Sequence, residues 1–201
     1  MAEVTVLIEG ENTRDEENTL SMGSSVTLIK SDRIILVDTG SIPAKDRLIQ
    51  ELGKQGLTPE DIDLVVLTHL HLDHMINVHL FNKAKVLCKV RGDEYPGQVH
   101  VLAKGCLGRT DLFDGIPIAQ DVECMVTPGH TDDMLSVLVK TPEGNVVVAG
   151  DAIPNEEWAD LNLQPSPILN LDVEKFNDSR KKILEKGDYI IPGHGKMFKV
   201  T

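Results

Sequence analysis

Leu64-Val65-Val66-Leu67-Thr68-His69-Leu70-His71-Leu72-Asp73-His74 is the stretch that decides the fold. Its first four residues form an unbroken apolar run, the pattern of a short strand buried on both faces. The run delivers the chain to four side chains of metal-ligand chemistry within six residues: His69, His71, Asp73 and His74. Imidazole and carboxylate together suit zinc and related divalent ions. A loop at a strand end can aim His69 and His71 at one centre while Asp73 and His74 turn toward a second. A histidine-rich surface loop, the bland alternative, gives no reason for a buried strand directly before it.

Three more residues share this placement. Val122–Thr127 reads as a strand and leads through Pro128-Gly129 to His130. Val146–Ala149 leads through Gly150 to Asp151, and Tyr189–Ile191 leads through Pro192-Gly193 to His194. Each follows a glycine, which lets the backbone turn tightly, and functional groups gather at such strand ends. Five histidines and two aspartates therefore converge from four strand termini. His79 and His100 lack that context; His79 reads as packed on a helix and His100 as a surface residue.

The rest of the pattern supplies the frame. Val4–Ile8 reads as a strand, and the acidic stretch Glu9–Asn18 as a solvated loop. Ser25–Lys30 and Arg33–Asp38 read as a hairpin ending in Asp38-Thr39-Gly40. Leu48, Ile49 and Leu52 stand at helical spacing within 44–55, and Thr58-Pro59-Glu60-Asp61 looks like a capped helical turn. Ala84–Cys88 is a short strand. Arg91–Ile118 reads mostly as loop, with Leu135–Lys140 a strand joined to the next by a Gly144-Asn145 turn. Pro154–Leu171 is a loop, and Val173–Lys186 an amphipathic helix. Strands and helices in this order predict an α/β protein with helices outside two sheets.

The 201 residues are enough for one core, so a single domain over 1–201 is expected. Hydrophobic residues make up 41%, which speaks against disorder. The net charge of −12 repels phosphate backbones, so nucleic acid and anionic membranes are disfavoured as partners and a small molecule is favoured. A homodimer stays open. Cys88, Cys106 and Cys124 are odd in number and form no CxxC pair, the usage of reduced thiols in a core. With no leader pattern at Met1-Ala2-Glu3-Val4 and no run of ~18 apolar residues, the expected location is the cytoplasm.

His69-x-His71-x-Asp73-His74, then His130, Asp151 and His194 in that order, resemble the metallo-β-lactamase-fold hydrolase superfamily. Asp38-Thr39-Gly40, Pro128-Gly129-His130 and Gly150-Asp151 extend the resemblance over nearly the whole chain. It implies a four-layer αββα sandwich with two divalent metal ions at one edge, zinc first and iron or manganese allowed. It further implies that His69, His71 and His130 hold the first metal and that Asp73, His74 and His194 hold the second, with Asp151 between them. Asp38 is expected to orient a ligand histidine and fix its tautomer, or else simply to cap a turn.

The reaction this implies is hydrolysis. Water bridging two cations is deprotonated near neutral pH and becomes the nucleophile, with Asp73 orienting it. The expected substrate carries an ester, thioester, lactone or amide-like bond. A phosphodiesterase or ribonuclease on the same fold is the alternative, and a non-catalytic metal-binding module the remoter one. Two departures bear on the substrate: Met75-Ile76-Asn77 stands where the family has a glycine after the ligands, and Asp132-Asp133 follows His130-Thr131 where a glycine turn is usual. Trp158, the only tryptophan, lies beside Glu156 and Glu157 shortly after Asp151. It is expected either to wall the substrate or to pack on the last helix.

Overall fold

The computed structural model describes residues 1–14, 16–17, 19–89, 114–165 and 172–201. Cys106, His100 and most of the stretch 91–118 lie outside the described residues, as does the end of the segment 154–171.

One sheet has five strands in the order β1-β4-β5-β6-β7: β1 (Glu3–Ile8), β4 (Val26–Lys30), β5 (Ile34–Val37), β6 (Leu64–Val66) and β7 (Lys85–Leu87). The other has six in the order β13-β12-β11-β10-β9-β8: β8 (Ile116–Ala119), β9 (Val122–Val126), β10 (Leu135–Thr141), β11 (Gly144–Gly150), β12 (Tyr189–Pro192) and β13 (Phe198–Lys199). The sheets bury their facing sides against each other. Leu64 and Val66 join the core between them, while Val65 and Leu67 point to the outer face beneath α1 (Lys45–Lys54). Each strand of this kind needs apolar residues on both faces, which is why β6 is a continuous run rather than an alternation. α3 (Val173–Lys186) covers the second sheet, with Ile183 packed among Leu138, Val147 and Ile190. The result is the expected αββα sandwich.

Strand direction brings the site together. β5 and β6 run parallel, as do β11 and β12. β9 is antiparallel to β10 and β10 to β11, so β9 runs with β11. The residues after β5, β6, β9, β11 and β12 therefore all emerge at one edge of the sandwich. There the sheets are tied by Leu135 N–H donating to the Thr68 carbonyl at 2.7 Å. Among the described residues, no helix is long and apolar enough to cross a membrane.

Several local expectations change. Glu9–Asn18 is not all loop: β2 (Glu11–Arg14) pairs with β3 (Leu20–Gly23) as a separate two-stranded sheet. The β10–β11 turn is at Pro142-Glu143, and Gly144 already opens β11 with φ +133°. His79 is not helix-packed; it is exposed on a single turn of 3₁₀ helix, its Nδ1 donating to the Ile76 carbonyl at 3.1 Å. Ile49 is 40% exposed on α1, whose buried residues are Leu48 and Leu52.

Trp158 sits on a 3₁₀ turn (Glu156–Ala159) and packs edge-on to Phe176 of α3, with ring centroids 5.6 Å apart. The fully buried Arg180 guanidinium lies 5.5 Å from the same ring and donates to the carbonyls of Trp158, Asp160 and Leu163. These are the contacts of an anchor for the last helix. Trp158→Ala is therefore expected to cost on the order of 2 kcal/mol, less than a fully buried aromatic because the ring is only half-buried. Thermal melts and Michaelis kinetics on the variant check this: the melting temperature falls and KM holds. A shifted KM at unchanged melting temperature would restore the substrate wall.

Candidate metal centre

The sharp turn after β5 places Asp38 in left-handed backbone at φ +59°, a conformation that aspartate tolerates better than most residues. Its buried carboxylate organises the neighbouring strand end. Oδ1 accepts the Thr68 N–H and Oδ2 accepts the Thr68 hydroxyl, both at 2.8 Å. Oδ2 also accepts His74 Nδ1–H at 2.8 Å. Because the Thr68 hydroxyl gives its proton to Asp38, its lone pairs accept His69 Nδ1–H at 3.1 Å. One carboxylate thus holds the Nδ1 protons of two histidines and turns both Nε2 atoms toward the site. His194 is set likewise, its Nδ1–H donating to the Gly23 carbonyl at 3.0 Å.

The candidate ligand atoms face one another in two groups: His69, His71, His130 and Asp151; and Asp73, His74 and His194. In the first, His130 Nε2 lies 3.2 Å from His71 Nδ1 and 3.4 Å from Asp151 Oδ2, with His69 Nε2 4.0 Å from that oxygen. In the second, Asp73 Oδ2 is 3.7 Å from both His74 Nε2 and His194 Nε2. Asp151 Oδ1 reaches this second group, 3.3 Å from His74 Nε2 and 3.2 Å from His194 Nε2. Asp151 Oδ2 is also 3.4 Å from His194 Nε2, so the carboxylate stands between the groups, with Oδ1 facing the second and Oδ2 within reach of both.

These residues fit divalent cations on two observations. Donors bonded at ~2.0–2.1 Å in a tetrahedron stand ~3.3–3.4 Å apart. The pairs of His130 with His71 and Asp151, and of Asp151 with His74 and His194, are close to that spacing at 3.2–3.4 Å, while those of Asp73 with His74 and His194 and of His69 with Asp151 are wider at 3.7–4.0 Å. In addition, His69 Nε2, His74 Nε2, Asp73 Oδ2 and Asp151 Oδ1 are buried with no hydrogen-bond partner. Orphaned buried polar atoms are costly, and cations held at the two groups would satisfy all four.

Electrostatics point the same way. Burial pushes the His69 imidazole well below the ordinary histidine range, and His74 adds to that. Burial acts in the same direction on His74, but the Asp151 and Asp38 carboxylates outweigh it and hold that ring well above. His194 is also raised, burial being outweighed by Asp151. Burial would raise Asp151, yet His74 and His194 hold it well below the carboxylate range. Without a cation the cluster keeps positive charge as protons, which an incoming cation displaces.

All seven residues expected as ligands meet at this edge, and Asp38 lies behind two of them. The signal for Thr68, Gly23 and Ser24 was absent from the sequence, since each acts through one hydroxyl or carbonyl. Asn77, one of the departures after His74, is buried and donates its amide to the carbonyls of Thr39, Gly40 and Ser41 at 2.7–3.2 Å. It braces the turn that carries Asp38. Asp132 and Asp133 are partly exposed.

Cys88 and Cys124 are buried free thiols. Burial, helped by Asp133, pushes Cys88 up to about 11, and burial pushes Cys124 up to about 12. Neither forms the thiolate a nucleophile needs near neutral pH. Iodoacetamide on the native protein at neutral pH is expected to leave both unmodified by mass spectrometry, with turnover unchanged.

This fold, with its candidate ligands at the ends of β6, β9, β11 and β12, defines a class, and the metallo-beta-lactamase superfamily profile matches residues 21–194. The chain belongs to that superfamily and is a hydrolase of it. It is 38% identical over 202 residues to metallo-beta-lactamase domain-containing protein 1 of Xenopus laevis, covering 98% of this chain and 81% of that protein. It spans less, 59–63%, of the mammalian proteins of that name. An N-acyl homoserine lactonase of Bacillus thuringiensis is 26% identical over 70% of this chain and 57% of its own length. A crystal structure of a Thermotoga maritima protein assigned as a metallo-beta-lactamase superposes with a TM-score of 0.72 at 24% identity, covering 98% of this chain and 99% of that one.

Proposed function

We propose that the chain hydrolyses an ester, thioester, lactone or amide-like bond in a small molecule at a two-cation centre. The cations are assigned as zinc, given a donor set dominated by imidazole. The observation that carries the reading is the pair of ligand groups sharing the two oxygens of Asp151. Two divalent cations in such a centre supply Lewis acidity and water activated near neutral pH.

The chain's own residues do the rest. Asp38 and Thr68 keep the protons of His74 and His69 on Nδ1, and the Gly23 carbonyl does so for His194, so that each presents Nε2. Asp73, whose side chain is 21% exposed, is the carboxylate available to orient water at the rim. His71 is exposed and His130 partly so, which leaves the first group open to substrate. A purely structural metal site would be closed. Ester-type bonds are favoured over phosphodiesters by the net charge of −12 and by exposed Glu156 and Glu157 after Asp151. The lactonase relative, which acts on N-acyl homoserine lactone, supports the same bond class.

The test is a turnover screen of zinc-loaded protein over lactones, thioesters, esters, a β-lactam, a phosphodiester and RNA. Turnover of an acyl bond, lost on chelation and restored by zinc, is expected. Turnover confined to RNA or the phosphodiester overturns the bond class.

A further inference from the structure

Both ends of the β2–β3 hairpin are fastened to the second ligand group. Where the chain leaves it, Gly23 accepts His194 Nδ1–H at 3.0 Å, and the Ser24 hydroxyl donates to the Asp73 carbonyl at 2.7 Å. The next residue, Ser25, donates its N–H to the Gly193 carbonyl at 2.7 Å. Where the chain enters, Gly10 N–H donates to Ser25 Oγ at 3.1 Å. Gly10 lies so close that a Cβ there would stand 2.3 Å from the Gly193 carbonyl oxygen and 2.9 Å from His194 Cα. Ser24 and Ser25 are buried, at 1% and 4% exposure. Among the described residues β2 and β3 pair with each other and with no other strand, so neither large sheet fixes the hairpin through its strands.

The first ligand group is braced from elsewhere. His69 rests on Thr68 at 3.1 Å. The Pro128-Gly129 turn before His130 is held by α3: Ser179 Oγ donates to the Pro128 carbonyl at 2.7 Å, and a Cβ on Gly129 would stand 2.2 Å from Phe176 N. Asp38 and Thr68 serve one histidine of each group, His74 and His69; beyond that shared brace a helix supports the first group and the hairpin root the second.

We infer that the β2–β3 hairpin governs loading of the second cation site, the one built on Asp73, His74 and His194, through Gly23 and Ser24. This rests on the two-cation reading above. Ser24 is a positioning residue: it holds the backbone of Asp73 while the neighbouring carbonyl aims His194. Coupling of this kind is reciprocal, so order in the hairpin strengthens that site and a cation in that site orders the hairpin. The hairpin has exposed residues and is rooted at the second ligand group, so a substrate pressing on it would change how firmly the second cation is held.

Zinc titration of metal-stripped protein against a chelating indicator, combined with amide hydrogen exchange, tests this. Wild type is expected to take up two equivalents, one of which slows exchange across residues 11–23 while the other does not. Ser24→Ala should bind one equivalent as wild type does and the other about 10–100-fold more weakly, the usual cost of losing a partner around a ligand. Ser24→Thr, which keeps the hydroxyl, should restore it. Equal weakening of both equivalents, no weakening of either, or hairpin exchange that ignores zinc overturns the inference. The exchange experiment needs only wild type and decides the matter if Ser24→Ala fails to fold. Uptake of a single equivalent by wild type overturns the two-cation reading itself.

Discussion

Asp151→Ala is expected to weaken cation binding at both ligand groups, with loss of at least one ion, and to lower turnover by more than the ~10–100-fold seen for partners around a metal ligand. The reason lies in its two oxygens. Oδ1 stands 3.2 Å from His194 Nε2 and 3.3 Å from His74 Nε2, while Oδ2 stands 3.4 Å from His130 Nε2. Among the described residues, Asp151 is the only carboxylate within 4.0 Å of Nε2 atoms of both groups. Loss of its charge also leaves five imidazoles with Asp73 as the remaining carboxylate within the two groups and Asp38 behind His74. Elemental analysis should show the fall from two ions per chain to one or none. Wild type should melt lower after chelation, because a ligand that binds only the folded state stabilises it. The variant should show little of that chelator-dependent shift. Two ions retained in Asp151→Ala would mean that the groups do not share this carboxylate.

What the sequence made legible was the strand ends. An apolar run, a glycine and then a ligand side chain is a local pattern, and it located His130, Asp151 and His194 as readily as the His69–His74 stretch. The sandwich followed because strands buried on both faces cannot alternate. The hairpin β2–β3 was hidden for the opposite reason: it lies outside both large sheets, so no apolar period marks Glu11–Arg14 and acidic composition suggested loop. Positioning through backbone carbonyls was hidden too, since Gly23 brings to His194 only an oxygen that every residue has. Trp158 stayed open in the sequence between a substrate wall and an anchor for the last helix. Its neighbours in sequence are acids and the ligand Asp151, but its neighbours in space are Phe176 and Arg180, some twenty positions on. Asp38 was legible as a turn residue with a second duty; its reach through Thr68 to His69 needed the fold.

Gly193→Ala is expected to damage the centre from a position that supplies no ligand atom. The glycine's backbone is not in the left-handed region, so conformational freedom is not what demands it. Space is. A Cβ at 193 would stand 1.9 Å from Asp151 Oδ1 and 3.0 Å from the Gly150 carbonyl carbon. Relief requires the carboxylate to move by roughly 1 Å or the loop to shift, and misplacement on that scale in a catalytic constellation costs on the order of 10²-fold. Retreat of the loop is opposed by its own bonds: Gly193 N–H donates to the Gly150 carbonyl at 3.0 Å, and His194 N–H to the Pro154 carbonyl at 2.7 Å. The damage should therefore fall on Asp151 and His194 together, appearing as weaker zinc binding as well as lost turnover. Gly195→Ala is the control in the same loop. A Cβ there would meet Pro192 Cγ at 3.4 Å and Asn155 Cβ at 3.7 Å, ordinary contacts. It should keep zinc and activity near wild type. Equal behaviour of the two variants in zinc titration would show that close approach to Asp151 is not what fixes the glycine at 193.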